Sequence, residues 1–154
     1  MLRFGAYIAH FFSVVHKIMK EKPKGGVPLP DTGYIDVLAY TSTAQIPLEN
    51  VAIAVTSSDG TALALRLTNR NGSIEPIEIP VPELSAGQTP NTGVLPFTPV
   101  NIYARLEGYE QVENENLQVF PNTVTRLNLE MIPLSELPSS WDQTVVYNTP
   151  KQNL

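Results

Sequence analysis

From residue 33 onward, apolar and polar residues change places at every second position. In YIDVLAY, Ile35, Val37 and Ala39 share one face. In VAIAVTS, Val51, Ile53 and Val55 face one way, and Ala52, Ala54 and Thr56 the other. Successive side chains of a strand point to opposite faces of a sheet, so this alternation predicts half-buried β-strands. ALALRLT then predicts Leu63, Leu65 and Leu67 inward and Arg66 outward, with Ser58, Asp59 and Gly60 as the turn of a hairpin before it. IEPIEIPVP is a weaker strand. Pro76 and Pro80 have no N–H to offer a ladder, which sends it to a sheet edge. Residues 82–99, rich in Pro, Gly, Thr and Asn, read as a long loop.

Alternation resumes in VNIYARLE, with Val100, Ile102, Ala104 and Leu106 on one face. Leu117 and Val119 follow, Pro121 and Asn122 make a turn, and VTRLNLEM sends Leu127, Leu129 and Met131 inward. About seven short strands separated by turns, with no helical period after residue 26, predict an all-β fold. The expected architecture is a seven-stranded antiparallel Greek-key β-sandwich. Three regions follow: an arm and linker over 1–32, the sandwich over 33–133, and a tail over 134–154. Fourteen prolines in 154 residues also speak against a helical bundle.

The arm MLRFGAYIAHFFSVVHKIMKEKPKGG has a different period. Phe4, Ile8, Phe11, Phe12, Val15, Ile18 and Met19 recur at helical spacing, which predicts an amphipathic helix. Its apolar run is too short to span a bilayer. Three readings stay open: a helix on a membrane surface, through residues 1–19, or on a partner; a degenerate export signal; or an over-extended start, with translation beginning at Met19. The first two fit a bacterial envelope, spore or extracellular location, and the third a cytoplasmic one.

Charge separates the arm from the body. Residues 1–26 carry five basic side chains against one acid, and residues 33–132 carry four arginines against eleven acids. Phosphate backbones select basic surfaces, so no nucleic-acid partner is expected. The chain has no cysteine, which removes disulfides and thiolate metal sites. His10 and His16 are the only histidines. On a helix they point about 240° apart and do not converge. All lysines lie at 17, 20, 22, 24 and 151, so a lysine–asparagine isopeptide bond inside the sandwich has no donor. Glu107, Glu110, Glu113 and Glu115 alternate without a calcium-loop pattern and read as a solvated acidic rim. Asn71-Gly72-Ser73 has the form of a glycosylation sequon and reads as a turn, with Gly72 at positive φ.

Several segments taken in order resemble the transthyretin-like, carboxypeptidase-regulatory-like sandwich, within the broader Ig-like architecture. Pro47, Leu48 and Val51 match the element opening its second strand. Thr68 and Gly72 match its Thr-x-x-x-Gly loop, and Gly108-Tyr109 its Gly-Tyr step. Pro121-Asn122 stands where the family has Pro-Gly, and asparagine tolerates the same left-handed conformation. The run GYEQVENENLQVF…MIPL is similar to copies that accompany peptidoglycan-handling and spore-cortex proteins of spore-forming Firmicutes. Hydroxyisourate hydrolases share the transthyretin fold, but their catalytic histidines and Tyr-Arg-Gly-Ser ending are missing here.

These readings imply a non-catalytic structural or adhesion module of a bacterial envelope, spore layer or surface assembly. The alternative is a peptidoglycan- or glycan-binding accessory domain. Neither catalytic residues nor cofactor nor metal are expected, and the chain reads as no enzyme. Candidate partner or glycan contacts are Tyr103, Tyr109, Trp141 and Tyr147, because aromatic faces stack on sugars and anchor partners. A protein partner, or self-association through an edge strand or the β-prone TVVY tail, is the expected mode of assembly.

Overall fold

The computed structural model describes residues 31–84, 95–136 and 144–150. The predicted helical arm, with both histidines, lies outside them, as does Trp141. Nine strands are present among the described residues: β1 Asp31–Thr41, β2 Ile46–Pro47, β3 Ala52–Ser57, β4 Ala62–Leu67, β5 Ile77–Val81, β6 Thr98–Arg105, β7 Gln111–Val119, β8 Val124–Glu130 and β9 Thr144–Asn148. A 3-10 turn occupies Leu134–Glu136.

The strands form two sheets. In the first, β1 is central, with β8 on one side and β5 and β2 on the other. The second runs β4-β3-β6-β7-β9. One apolar core lies between them. Ile35, Val37 and Ala39 of β1 and Ile77, Ile79 and Val81 of β5 meet Ile53 and Val55 of β3 and Val100, Ile102 and Ala104 of β6. Leu129 and Met131 complete the first layer, and Val112 and Val119 the second. Burying each large aliphatic contributes about 1.5–3 kcal/mol, which is why the period-two positions dominate the fold.

Three expectations are corrected. There are nine strands rather than seven, because two-residue β2 and tail strand β9 carry too little pattern to be seen in sequence. The pure antiparallel Greek key is not found, since β1 pairs β8 in parallel and β7 pairs β9 in parallel. Strand polarity depends on which sheet a connection returns to, and alternation carries no information about that. Finally, β4 is turned over. Leu63 and Leu67 are exposed, at 42% and 60%, while Ala64 packs against the core. Ala64 and Arg66 pair with inward-facing Val55 and Ile53, and a single-residue slip exchanges the two faces of a strand. At this edge the aliphatics of β3 and β5 belong to the core, and Ala64 and Arg66 line the cleft beside them.

Leu48, Val51, Thr68 and Gly72 meet at one corner. The buried Thr68 hydroxyl donates to the Leu48 carbonyl at 2.6 Å and accepts from the Val51 N–H at 2.9 Å. Ala39 of β1 donates its N–H to the Gly72 carbonyl at 2.8 Å and accepts from Leu48 N–H at 3.0 Å. Gly72 has φ of 73°, as its turn reading expects, and a Cβ there would lie 2.3 Å from the Ala39 oxygen. Asn69 closes the loop: its Oδ1 accepts from the N–H groups of Asn71 and Ser73 at 2.9 and 3.2 Å. At the other end of the body, Asn122 takes the left-handed conformation with φ of 54°.

Candidate functional site

The candidate surface is the outer face of the second sheet. Cross-strand registers set its rows. Ala54 has Leu65 on one side and Tyr103 on the other; Tyr103 pairs with Glu113, and Glu113 with Val146. A second row joins Leu67, Ala52 and Arg105. The outward leucines, Tyr103 and Arg105 thus stand side by side above small alanines. Ala54 and Thr56 face outward yet are buried, so larger neighbours cover them. Such a face offers an aromatic ring, aliphatic area, an exposed guanidinium at Arg105 and a carboxylate at Glu113, whose partner is the Gln111 amide. These groups suit docking against a protein or a sugar face.

Tyr103 is half-buried on this face. Tyr109 packs against the core and is held by the turn at Gly108, whose φ is 83°. Tyr147 lies half-exposed on β9, in register with Asn114 rather than with the Tyr103 row. The three candidate tyrosines, Tyr103, Tyr109 and Tyr147, therefore do not form one aromatic surface.

Beside the β4 edge a shallow cleft of about 380 Å³ opens between the sheets, lined by Leu63, Ala64, Arg66, Pro76, Ile77 and the carboxylates of Glu75 and Glu78. Arg66 donates through Nη1 to the carbonyl of Leu65 at 3.0 Å, while its buried Nε has no partner. Among the described residues no three His, Cys, Asp or Glu side chains gather as a metal site.

The acidic rim is also corrected at one residue. Glu110 is only 3% exposed, unlike exposed Glu107. Burial raises its pKa; a backbone hydrogen bond at Ile132 opposes this, and the charge of Glu130 adds to it. The bridge of Tyr109 to Pro133 and the bond from Glu110 N–H to Ile132 O draw this side chain inward. Asp59 behaves in the opposite way. In the exposed β3–β4 turn it accepts from the Ser57 hydroxyl and from Thr61 N–H, which lowers its pKa to about 2.

Sequence reasoning missed the leucine face, because arginine shares the alanine side of β4 and a charged side chain points that side toward water. It also missed an amide network at the β7 edge. There Asn116 donates its N–H to Asn101 Oδ1 at 3.0 Å and its Nδ2 to Asn148 Oδ1 at 3.4 Å. Nothing in the residue pattern brings Asn101, Asn116 and Asn148 together; only the register of three strands does.

No family model and no curated protein matches the chain. Solved structures of similar fold include the TIE protein of Bacillus anthracis, at 13% identity and a TM-score of 0.44, over 66% of this chain and 16% of that one. A minor pilin of Streptococcus agalactiae is similar at 15% identity and a TM-score of 0.41, over 71% and 48%. A 3-chlorocatechol 1,2-dioxygenase of Rhodococcus opacus is similar at 12% identity and a TM-score of 0.48, over 73% and 64%. The chain thus spans less than two thirds of each. Because dioxygenases stand among these chains, the expectation that the protein is no enzyme is withdrawn: a β-rich body without histidine does not exclude catalysis.

Proposed function

We propose that the chain is a surface or adhesion module that meets protein or glycan partners through the outer face of its second sheet. The observation that carries this reading is the leucine, Tyr103 and Arg105 surface, which faces solvent over a core already complete beneath it. An apolar face that the core does not need is available for a partner. The corner built by Thr68 and Gly72 supports the finer transthyretin-like, carboxypeptidase-regulatory-like reading, and with it a place in the envelope or spore layer of a Firmicute. On this reading residues 33–133 are the module, 1–32 its arm and 134–154 its tail.

Purified cell-wall sacculi, bearing or stripped of their proteins, test the proposal. Retention on both, reduced by Tyr103→Ala and Leu67→Ser, supports glycan recognition. Retention on protein-bearing sacculi alone, with the same sensitivity, supports a protein partner. Retention on neither, or retention indifferent to both substitutions, removes the reading.

A further inference from the structure

The far edge of the second sheet carries a different kind of surface. Among the described residues β9 pairs with β7 alone, in parallel, from Gln111–Thr144 to Glu115–Asn148. No β9 residue is buried, and Val146 and Tyr147 are each about half exposed. The strand is therefore held by its backbone ladder and by polar contacts supplied from β7, rather than by side chains sunk in the core.

Those contacts form an acceptor track. Thr149 N–H donates to the Glu115 carbonyl at 3.0 Å. Gln118 Nε2 donates to the Pro150 carbonyl at 3.2 Å, and Asn148 Nδ2 to Glu115 Oε2 at 3.2 Å. Asn116, at φ of 58°, has its backbone fastened to Asn101 on β6, and its side-chain amide reaches Asn148. The register shift between Val100 and Ile102 belongs to this β6–β7 pair and does not involve β9. Bulges re-aim side chains and are built features of a sheet. Meanwhile Val112 and Val119 remain packed in the core from the inner side of β7. Without β9 the core would stay filled, and β7 would present a row of unpaired N–H and C=O groups, a template for an added strand.

We infer that this edge of β7 is an exchangeable strand-acceptor site, and that its occupant in trans is the Thr144–Asn148 strand of a second copy of this chain. The seated strand identifies the occupant: its polarity is parallel, its Asn148 amide meets Asn116 and Glu115, and residues 149 and 150 extend the match. A second copy offers the same contacts, so the choice between cis and trans depends on effective concentration rather than on new bonding. Residues 137–143 separate Glu136 from Thr144, a reach of up to about 28 Å when extended. Exchange is thus favoured where copies are crowded. The inference stands apart from what the leucine face binds.

The absence of native cysteine makes the test clean. Glu113 and Val146 are register partners. Chains carrying Glu113→Cys alone and Val146→Cys alone are mixed across a hundredfold concentration range and oxidised. Expected is a covalent heterodimer whose yield rises with concentration and falls at least several-fold with excess peptide spanning residues 144–150. A Glu113→Cys and Val124→Cys mixture serves as control and should give only background. The parallel measurement is mass by light scattering of the full chain. A concentration-dependent dimer is expected, and Tyr147→Pro, which removes the N–H that faces β7 on the same side as the bonded Thr149 N–H, should abolish it while the body stays folded. No heterodimer above control at any concentration, or a dimer that survives Tyr147→Pro, overturns the inference.

Discussion

The corner at Thr68 and the edge at β9 are built on opposite principles. At the corner, side chain and backbone specify one another: a buried hydroxyl replaces ladder partners for Leu48 and Val51, and a glycine sits where no Cβ fits. At the edge, five residues of parallel ladder lie on β7 with none of their side chains buried. Interior polar groups are costly to leave unpaired, whereas an exposed ladder exchanges its partners for water. The corner should thus govern stability and the edge should govern association.

Substitutions can break this contrast, starting with the largest effect. Gly72→Ala forces a left-handed alanine against the Ala39 carbonyl and should cost about 2–4 kcal/mol, read as a lower urea midpoint at constant slope. Thr68→Val keeps the shape, orphans Leu48 O and Val51 N–H, and should cost about 1–3 kcal/mol by the same measurement.

Titration sharpens the contrast further. The folded-state pKa of Glu110 is raised above its ordinary value of 4.5, so its penalty is absent below pH 4.5 and grows as pH rises above it. Glu110→Gln should therefore raise the melting temperature at pH 7 and flatten its decline above pH 4.5. For Asp59 the sign is reversed. Its stabilisation is present above pH 3.8 and is lost as pH falls toward about 2, so Asp59→Asn should matter only above that acid window. The smallest effects belong to the exposed strands. Leu67→Thr and Tyr147→Ala should each change stability by no more than about 0.5 kcal/mol. A loss of several kcal/mol at Leu67 would mean that β4 faces the other way.

Much of the body was legible because burial imposes period two wherever one face of a sheet is wet. Ile35, Val37, Ala39, Val100, Ile102 and Ala104 were assigned inward from spacing alone and are buried. Pro76 and Pro80 placed β5 at an edge through their missing N–H groups, and among the described strands β5 pairs only β1. Where both faces of a strand are apolar, as in β4, spacing offers two solutions, and the larger residues were sent inward wrongly. Glu110 was likewise read as solvated, because a carboxylate in an acidic run gives no sign that the chain folds over it.

Local chemistry in the sequence thus determined the β class, the inward faces of the regular strands and two of the turns that take left-handed residues, at Gly72 and Asn122. Each depends on a residue and its near neighbours, where sterics and alternation act directly. Only the tertiary structure decided the parallel placement of β8 on β1 and β9 on β7, the orientation of β4 and the gathering of Asn101, Asn116 and Asn148. Those are relations between segments far apart in the chain. They are settled by which volumes remain to be filled and which backbone edges remain to be paired, and neither quantity exists until the sheets have met.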